Sequence, residues 1–144
     1  MKNKRTSVSR VINADASTIF ALLTDVTKHP DFDGSGTVQK PTSSSETLTL
    51  GSTFGMSMRF AFLPYRIGNK VVEFEQDRLI AWQHFGKHRW RYELEPLEDG
   101  STNVTETFDW STSTMPWALE AKGYPKEHLG NIERTLERLA ALVE

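Results

Sequence analysis

The C-terminal stretch, residues 125–144, constrains the fold most strongly. Its apolar residues recur at alternating spacings of three and four, which places them in one stripe along an α-helix: Leu129, Ile132, Leu136, Leu139 and Val143. A helix of this length is not stable alone in water. The sequence therefore predicts a C-terminal helix whose stripe packs against a surface supplied by the rest of the chain.

The chain before that helix consists mostly of short predicted strands. Asp15 is a predicted helix N-cap, and 31–34 a turn or a short second helix. From Leu48 onward the apolar residues recur every second position, which indicates half-buried strands, and Pro64 is expected to interrupt them. The seven predicted strands are 7–13, 37–41, 54–62, 65–75, 79–85, 88–97 and 102–111.

Two tight turns predict the register of the last three strands. Gly86-Lys87 would form a two-residue hairpin, and Glu98-Asp99-Gly100 a three-residue hairpin. The first turn pairs Ala81 with Tyr92 and Gln83 with Trp90; the second pairs Tyr92 with Glu106 and Trp90 with Phe108. The predicted inner face then carries Leu79, Ala81, Gln83, Phe85, His88, Trp90, Tyr92, Leu94, Val104, Glu106, Phe108 and Trp110, while the charged face, with Trp82, is outer. A slip of one residue in either turn would exchange the faces of the affected side chains.

The composition limits the class of protein. A chain of 144 residues is enough for one domain with a sizeable core, and we predict a single domain over 1–144. Its 17 basic and 19 acidic side chains nearly cancel without long runs of one sign, which argues against nucleic-acid binding. No stretch is long and apolar enough to span a bilayer, and no apolar run follows the basic start. We therefore expect a cytoplasmic protein without stable membrane anchoring.

The sequence offers no motif for metal, nucleotide or nucleophilic chemistry. Without cysteine it has no disulfide and no thiolate ligand. His84 and His88 have the spacing of helical metal ligands but a predicted turn separates them, and His29 and His128 lack ligand-like neighbours at motif spacing. No serine lies in a G-x-S-x-G elbow, and no glycine cluster resembles a phosphate-binding loop. We predict no metal and no cofactor, and the oligomeric state stays open.

The order of elements is a strand, a helical pair, several antiparallel strands and a long helix. Four segments add detail to this order: Asp25 with HPDF at 29–32, DRLIAW at 77–82, WRYELEP at 90–96 and VTETFDW at 104–110. Together they resemble the START-like helix-grip (SRPBCC) superfamily, which includes polyketide cyclases/dehydrases and lipid-transfer domains. The resemblance implies an α+β fold in which a curved antiparallel sheet of about seven strands surrounds a long C-terminal helix.

Aromatic and methionine side chains dominate the predicted inner face. Alone, the alternating apolar side chains of the third strand (Phe54, Met56, Met58 and Phe60) are more typical of a core than of a ligand-binding wall. Combined with the rings of the last strands it forms a large apolar surface with a few polar groups, which is the usual composition of a small-molecule site. The predicted ligand-binding residues are Phe54, Met56, Met58, Gln83, His88, Trp90, Tyr92, Glu106, Phe108 and Trp110.

Glu106 is the strongest candidate for chemistry. On the predicted register it points inward between Tyr92, Trp90 and Phe108, where burial should raise its pKa unless Tyr92 or a buried cation stabilises the charged form. It is either a general acid/base or ligand anchor, or a structural acid bonded to Tyr92 or to backbone amides. His88, at the open end of the face, either orients a ligand or is a rim histidine without a special role.

Three functions remain open at the level of sequence. The first is binding of a hydrophobic small molecule (a lipid, an isoprenoid or a polyketide-like aromatic) between sheet and helix. The second is a cyclase or dehydratase in which Glu106 moves protons. The third is a ligand-free interaction module with a filled interior and an apolar outer patch around Trp82 and Trp117.

Overall fold

Strands are the commonest element in the described part of the fold. The computed structural model describes residues 4–34, 38–41, 47–60, 63–83, 88–111 and 124–144. The strands in this part of the chain are β1 (Arg5–Ile12), β2 (Val38–Pro41), β3 (Thr53–Phe60), β4 (Leu63–Glu75), β5 (Leu79–Gln83), β6 (Arg89–Pro96) and β7 (Thr102–Asp109). The helices are α1 (Ala16–Thr24), α2 (His29–Phe32) and α3 (Tyr124–Val143), with a 3-10 turn over Val26–Lys28.

The strands form one antiparallel sheet in the order β1-β7-β6-β5-β4-β3-β2. From β3 to β7, strands that follow each other in sequence are neighbours, and β1 is added beside β7. Helix α3 packs across β1 and β7 and also contacts α2. The α+β architecture predicted from sequence, with an antiparallel sheet against a C-terminal helix, is confirmed.

The buried face of α3 follows most of the predicted stripe. Ile132, Leu136 and Leu139 are buried, but Leu129 is 38% exposed. Thr135 and Ala140 are buried as well, so the buried face is rotated away from Leu129. On that rotated face, one helical turn before Ile132, the chain carries half-buried His128 instead.

The segment around α2 fixes the position of α3. The backbone N–H of Gly34 donates to Thr135 Oγ1 at 2.8 Å, and Arg134 Nε donates to the Gly34 carbonyl oxygen at 2.9 Å. A Cβ on Gly34 would lie 2.2 Å from the Asn131 carbonyl oxygen. Glycine is therefore required for the chain to approach the helix backbone this closely. Asp15 caps α1 as predicted, accepting from the Thr18 N–H at 3.0 Å.

The three-residue turn and the β6–β7 register agree with the sequence-based prediction. Gly100 has φ +89°, the left-handed conformation that this turn needs. The Leu97 N–H donates to the Ser101 carbonyl oxygen at 2.9 Å across the turn. Tyr92 pairs with Glu106 as predicted, and the neighbouring pairs on β6 and β7 follow the same register.

The predicted β5–β6 register is wrong by one residue. Trp82, not Gln83, pairs with Trp90, and Ile80, not Ala81, pairs with Tyr92. The observed register buries a large indole and a large aliphatic side chain inside, in place of an amide and a methyl group. Gln83 pairs with Arg89 and lies on the outer face, so the expectation that it shares the face of Trp90 is wrong. The two-residue turn at Gly86-Lys87 lies outside the described residues.

Two further expectations change with the structure. The predicted division into two strands is observed, but Pro64 does not separate them: it is the second residue of β4 and pairs with Arg59, a position near a strand end where proline is tolerated. Trp82 is 7% exposed and cannot belong to an outer apolar patch. Trp117, the other residue of that patch, lies outside the described residues, as does Phe85.

Polar side chains cover the outer face of the sheet. Ser7 and Thr107 hydroxyls lie 2.8 Å apart across β1 and β7. Glu73 forms ion pairs with Arg89 Nη1 at 3.4 Å and with Arg91 Nε at 3.3 Å. This charge distribution confirms which face of β6 and β7 is outer. Among the helices of the described ranges, none is long and apolar enough to cross a membrane.

Candidate functional site

The inner face of the sheet, opposite α3, is a wall of aromatic rings. The row formed by Trp82, Trp90 and Phe108 runs across β5, β6 and β7. The Trp90 and Phe108 ring centroids are 4.8 Å apart, and those of Phe108 and Trp110 are 5.6 Å apart. Directly opposed residues on neighbouring strands share a face, so strand register alone brings these rings together.

Glu106 and Tyr92 form a buried polar pair within this wall. Glu106 is 3% exposed, and Tyr92, directly opposite it on β6, is equally buried and hydrogen-bonded to its carboxyl group. Burial raises the pKa of Glu106 well above its ordinary value, and the Asp33 charge adds to the rise, while the Tyr92 hydrogen bond opposes it. Burial also raises the pKa of Tyr92, reinforced by Glu106. The protonated forms of both groups are therefore favoured.

One oxygen of Glu106 has no hydrogen-bond partner among the residues that the structure describes. Oε1 is closed to solvent and accepts no hydrogen bond from any residue in the described part of the chain. Most buried polar atoms in native proteins are hydrogen-bonded, and an unsatisfied one costs about 1–3 kcal/mol. The carboxyl group therefore has hydrogen-bonding capacity that the described residues do not use.

Two histidines, one on α3 and one just before β6, pack against the Phe108 ring. His128, on α3, has its ring centroid 4.6 Å from that of Phe108 and 4.8 Å from that of Trp90. His88, just before β6, lies 5.5 Å from Phe108. Burial, with a contribution from His88, lowers the pKa of His128 to about 4, and burial also lowers the pKa of His88. Both rings are neutral at pH 7, which suits contact with an apolar ligand.

His128 packs against the rings of the candidate site, and the sequence-based prediction did not include it. The predicted stripe used Leu129 and passed over His128 because histidine is not counted as apolar. Its spacing of four from Ile132 was the available signal, since that spacing keeps two residues on one helical face. The Asn131 amide donates to His128 Nδ1 at 3.3 Å and holds the ring in place.

A second ring cluster occupies the interior beside β3 and β4. His29 stacks on Trp82 at 5.0 Å and meets Phe54 edge-on at 5.6 Å. Its Nε2 lies 2.9 Å from the Leu23 carbonyl oxygen, to which the ring N–H donates. Burial lowers the pKa of His29, so the ring is a neutral part of the core.

The structure brings most of the predicted site residues to one face. Those whose side chains it describes on the inner face are Phe54, His88, Trp90, Tyr92, Glu106, Phe108 and Trp110. Met56 and Met58 alternate with Phe54 in β3, and only their backbone pairing is described. Gln83 is on the opposite face. Within the described ranges no group of three or more ligating side chains is arranged to hold a metal ion.

Comparison with known proteins gives a consistent picture. A family model described as "Polyketide cyclase / dehydrase and lipid transport" matches residues 4–144. The chain is 37% identical over 140 residues to uncharacterized protein Rv0088 of Mycobacterium tuberculosis, covering 94% of this chain but 62% of that protein. The chain therefore spans less than two thirds of this relative.

Solved structures show the same fold. Protein CV1439 from Chromobacterium violaceum superposes with a TM-score of 0.72 at 16% identity, covering 97% of each chain. The Polyketide_cyc-like protein Cgl2372 from Corynebacterium glutamicum has a TM-score of 0.58 at 23% identity, covering 98% of this chain and 83% of that one. At such identities the likeness concerns the fold alone.

Proposed function

This chain belongs to the polyketide cyclase/dehydrase and lipid transport family, and we propose that it binds a hydrophobic small molecule between the inner face of its sheet and helix α3. A lipid, an isoprenoid or a polyketide-like aromatic has the required chemistry. The walls would be the inner-face rings of β3, β6 and β7, with Glu106 as polar anchor and His88 and His128 beside the ligand. Gln83 is not part of this proposal.

The observation that carries the proposal is the unpaired Oε1 of Glu106. A carboxyl group buried among rings is unfavourable unless something binds it, and Tyr92 occupies only part of its hydrogen-bonding capacity. In the protonated form favoured by burial, the group both donates and accepts. It is therefore suited to a hydroxyl or a carbonyl on an otherwise apolar ligand.

The route into the interior is supported by differences in burial along the ring wall. Phe108 and Trp110 are buried, whereas Trp90, His88 and His128 are only half-buried. These three side chains come from the sheet and from the helix that faces it. We propose that the ligand enters at this opening and reaches Glu106, which lies on β7 two residues before Phe108, roughly 7 Å away along the strand.

Native mass spectrometry of the freshly purified protein tests the proposal. We expect an adduct of a few hundred daltons that is absent from the denatured mass. Binding is then measured with N-phenyl-1-naphthylamine as a fluorescent probe, displaced by 1-dodecanol or by dodecane. Loss of one hydrogen bond in Glu106→Met should weaken 1-dodecanol binding about fivefold to tenfold and leave dodecane binding unchanged.

The matched control is Glu95→Met, which replaces an exposed carboxyl on β6 by the same side chain. It should leave the binding of both displacing compounds unchanged. A clean apo mass, together with no binding of the probe or of either compound, would show that the interior is a filled core. Equal binding of 1-dodecanol by the wild type and Glu106→Met would remove Glu106 from the site.

The second candidate function is a cyclase or dehydratase, favoured by the raised pKa of Glu106. A carboxylic acid with a raised pKa can donate its proton to a departing hydroxyl group, which leaves as water, and the resulting carboxylate can take the proton from the neighbouring carbon as the double bond forms. In that case Glu106→Gln would still bind the compound recovered by native mass spectrometry but would no longer convert it. A mass decrease of one water in the wild type alone would establish the enzyme, whereas an unchanged compound would support the binder.

A further inference from the structure

Among the described residues, a second buried polar atom without a hydrogen-bond partner lies at the ring wall, on Asn69. This residue is 6% exposed and pairs with Phe54 across β3 and β4. Phe54 packs against His29 and Trp82, so Asn69, directly opposite it, is on the inner face. Its Oδ1 is closed to solvent and has no hydrogen-bond partner among the residues that the structure describes. The nearby His29 N–H cannot satisfy it, because it donates to the Leu23 carbonyl oxygen.

Asn69 and Glu106 bound the same apolar wall at two places. Their strands, β4 and β7, are separated by β5 and β6, which makes three strand spacings or roughly 14 Å across the sheet. The register also offsets the two residues by four positions, roughly 13 Å along the strands, so they are roughly 19 Å apart. A continuous chain of rings connects them: the Phe54 and Trp82 centroids are 5.6 Å apart, and those of Trp82 and Tyr92 are 5.5 Å apart. Tyr92 in turn bonds to Glu106. Apolar rings in mutual contact therefore lie between one of these oxygens and the other, with His29 packed on the Phe54 and Trp82 part of the row.

We propose that the ligand of this site is an elongated apolar molecule with a hydroxyl or equivalent donor at each end, one bound by Glu106 and the other by Asn69. This inference rests on the proposed binding function and narrows its ligand class. A hydroxyl donates to the amide oxygen and can donate to or accept from the carboxyl group. A ligand with one polar end would leave one buried oxygen unpaired, and sites of this kind discriminate strongly against such analogues.

The test compares α,ω-alkanediols with 1-alkanols of equal length, from ten to sixteen carbons, as displacers of N-phenyl-1-naphthylamine. The wild type should bind the diol of the best length at least about tenfold more tightly than the matched alcohol. Asn69→Leu should lose this preference while keeping its affinity for the alcohol within about threefold. The control Gln83→Leu makes the same amide-to-leucine change on the outer face and should keep the preference.

The outcomes separate the two proposals. If alcohols bind and depend on Glu106 but no diol binds more tightly, the two-ended ligand is wrong and the binding function stands. If neither alcohols nor diols bind, the binding function fails and this inference fails with it. If Asn69→Leu does not fold, the side-chain amide NMR signals of Asn69 in the wild type test whether the diol contacts this residue. They should shift on addition of the diol and not of the alcohol, and equal or absent shifts would overturn the inference.

Discussion

Replacing Glu106 by glutamine should change how the stability of the fold depends on pH. In the folded protein burial holds the pKa of Glu106 well above 4.5, the ordinary value that it regains on unfolding. Between these two values the unfolded chain releases a proton that the folded chain keeps. The contribution of a raised pKa is fully present below the unfolded value and is lost as the pH rises through the folded value. Glu106 therefore makes the protein less stable as the pH rises.

The magnitude follows from the proton count. One proton retained only by the folded state lowers the free energy of unfolding by about 1.4 kcal/mol for each pH unit. His29, His88 and His128 act in the opposite sense, because burial lowers their pKa values. Their contribution is present above about pH 6.5 and is lost as the pH falls toward their folded values. The effect of Glu106 is therefore measured as the difference in free energy of unfolding between the wild type and the Glu106 variant at each pH. The histidine contributions are the same in both proteins and cancel in this difference.

Urea unfolding at 25 °C from pH 5 to pH 8 measures this difference. The free energy of unfolding of Glu106→Gln minus that of the wild type should grow by about 1.4 kcal/mol per pH unit and level off above the folded pKa of Glu106. Glu95→Gln, the loss of an exposed carboxyl on β6, reports the general effect of removing one charge. Parallel stability curves for Glu106→Gln and the wild type would refute the assignment of a raised pKa to Glu106.

Three further substitutions test the packing around the site. Tyr92→Phe should destabilise the fold by about 1–3 kcal/mol in urea unfolding, because Glu106 loses its hydrogen-bond donor. It should also raise the pKa of the Glu106 carboxyl group further in a carbon-13 NMR titration. An unchanged pKa would contradict the hydrogen bond. Gly34→Ala should lower the free energy of unfolding by about 1–3 kcal/mol, because its Cβ would collide with the α3 backbone. The control Gly68→Ala, with open space around its Cβ, should change stability by less than about 1 kcal/mol. Equal effects of the two substitutions in thermal unfolding would argue against the close approach of Gly34 to α3. Trp82→Ala should lower the free energy of unfolding by about 3–5 kcal/mol, because a buried ring is lost. A loss under about 0.5 kcal/mol would instead place Trp82 on the outer face, as the register predicted from sequence did.

The site could be predicted from sequence where local rules are strong. The Glu98-Asp99-Gly100 turn permits essentially one register, and alternation along β7 then places Glu106 inward opposite Tyr92. The same reasoning failed at the preceding hairpin, where the pairing of Trp82 with Trp90 differs by one residue from the prediction. A candidate two-residue turn gives only a weak preference, and the burial of large apolar side chains outweighs it.

The amino-acid sequence by itself determined the periodic features: the apolar stripe of α3, the alternation of the strands and the capping of α1 by Asp15. These depend on interactions between residues close in the chain, which residue type and spacing reveal. The tertiary structure alone decided how the elements meet. His128 reaches Phe108 only because α3 is rotated on the sheet, and Asn69 becomes a buried unpaired group only because β3 pairs with β4. Such contacts depend on the packing of the whole core, in which distant residues compete for burial.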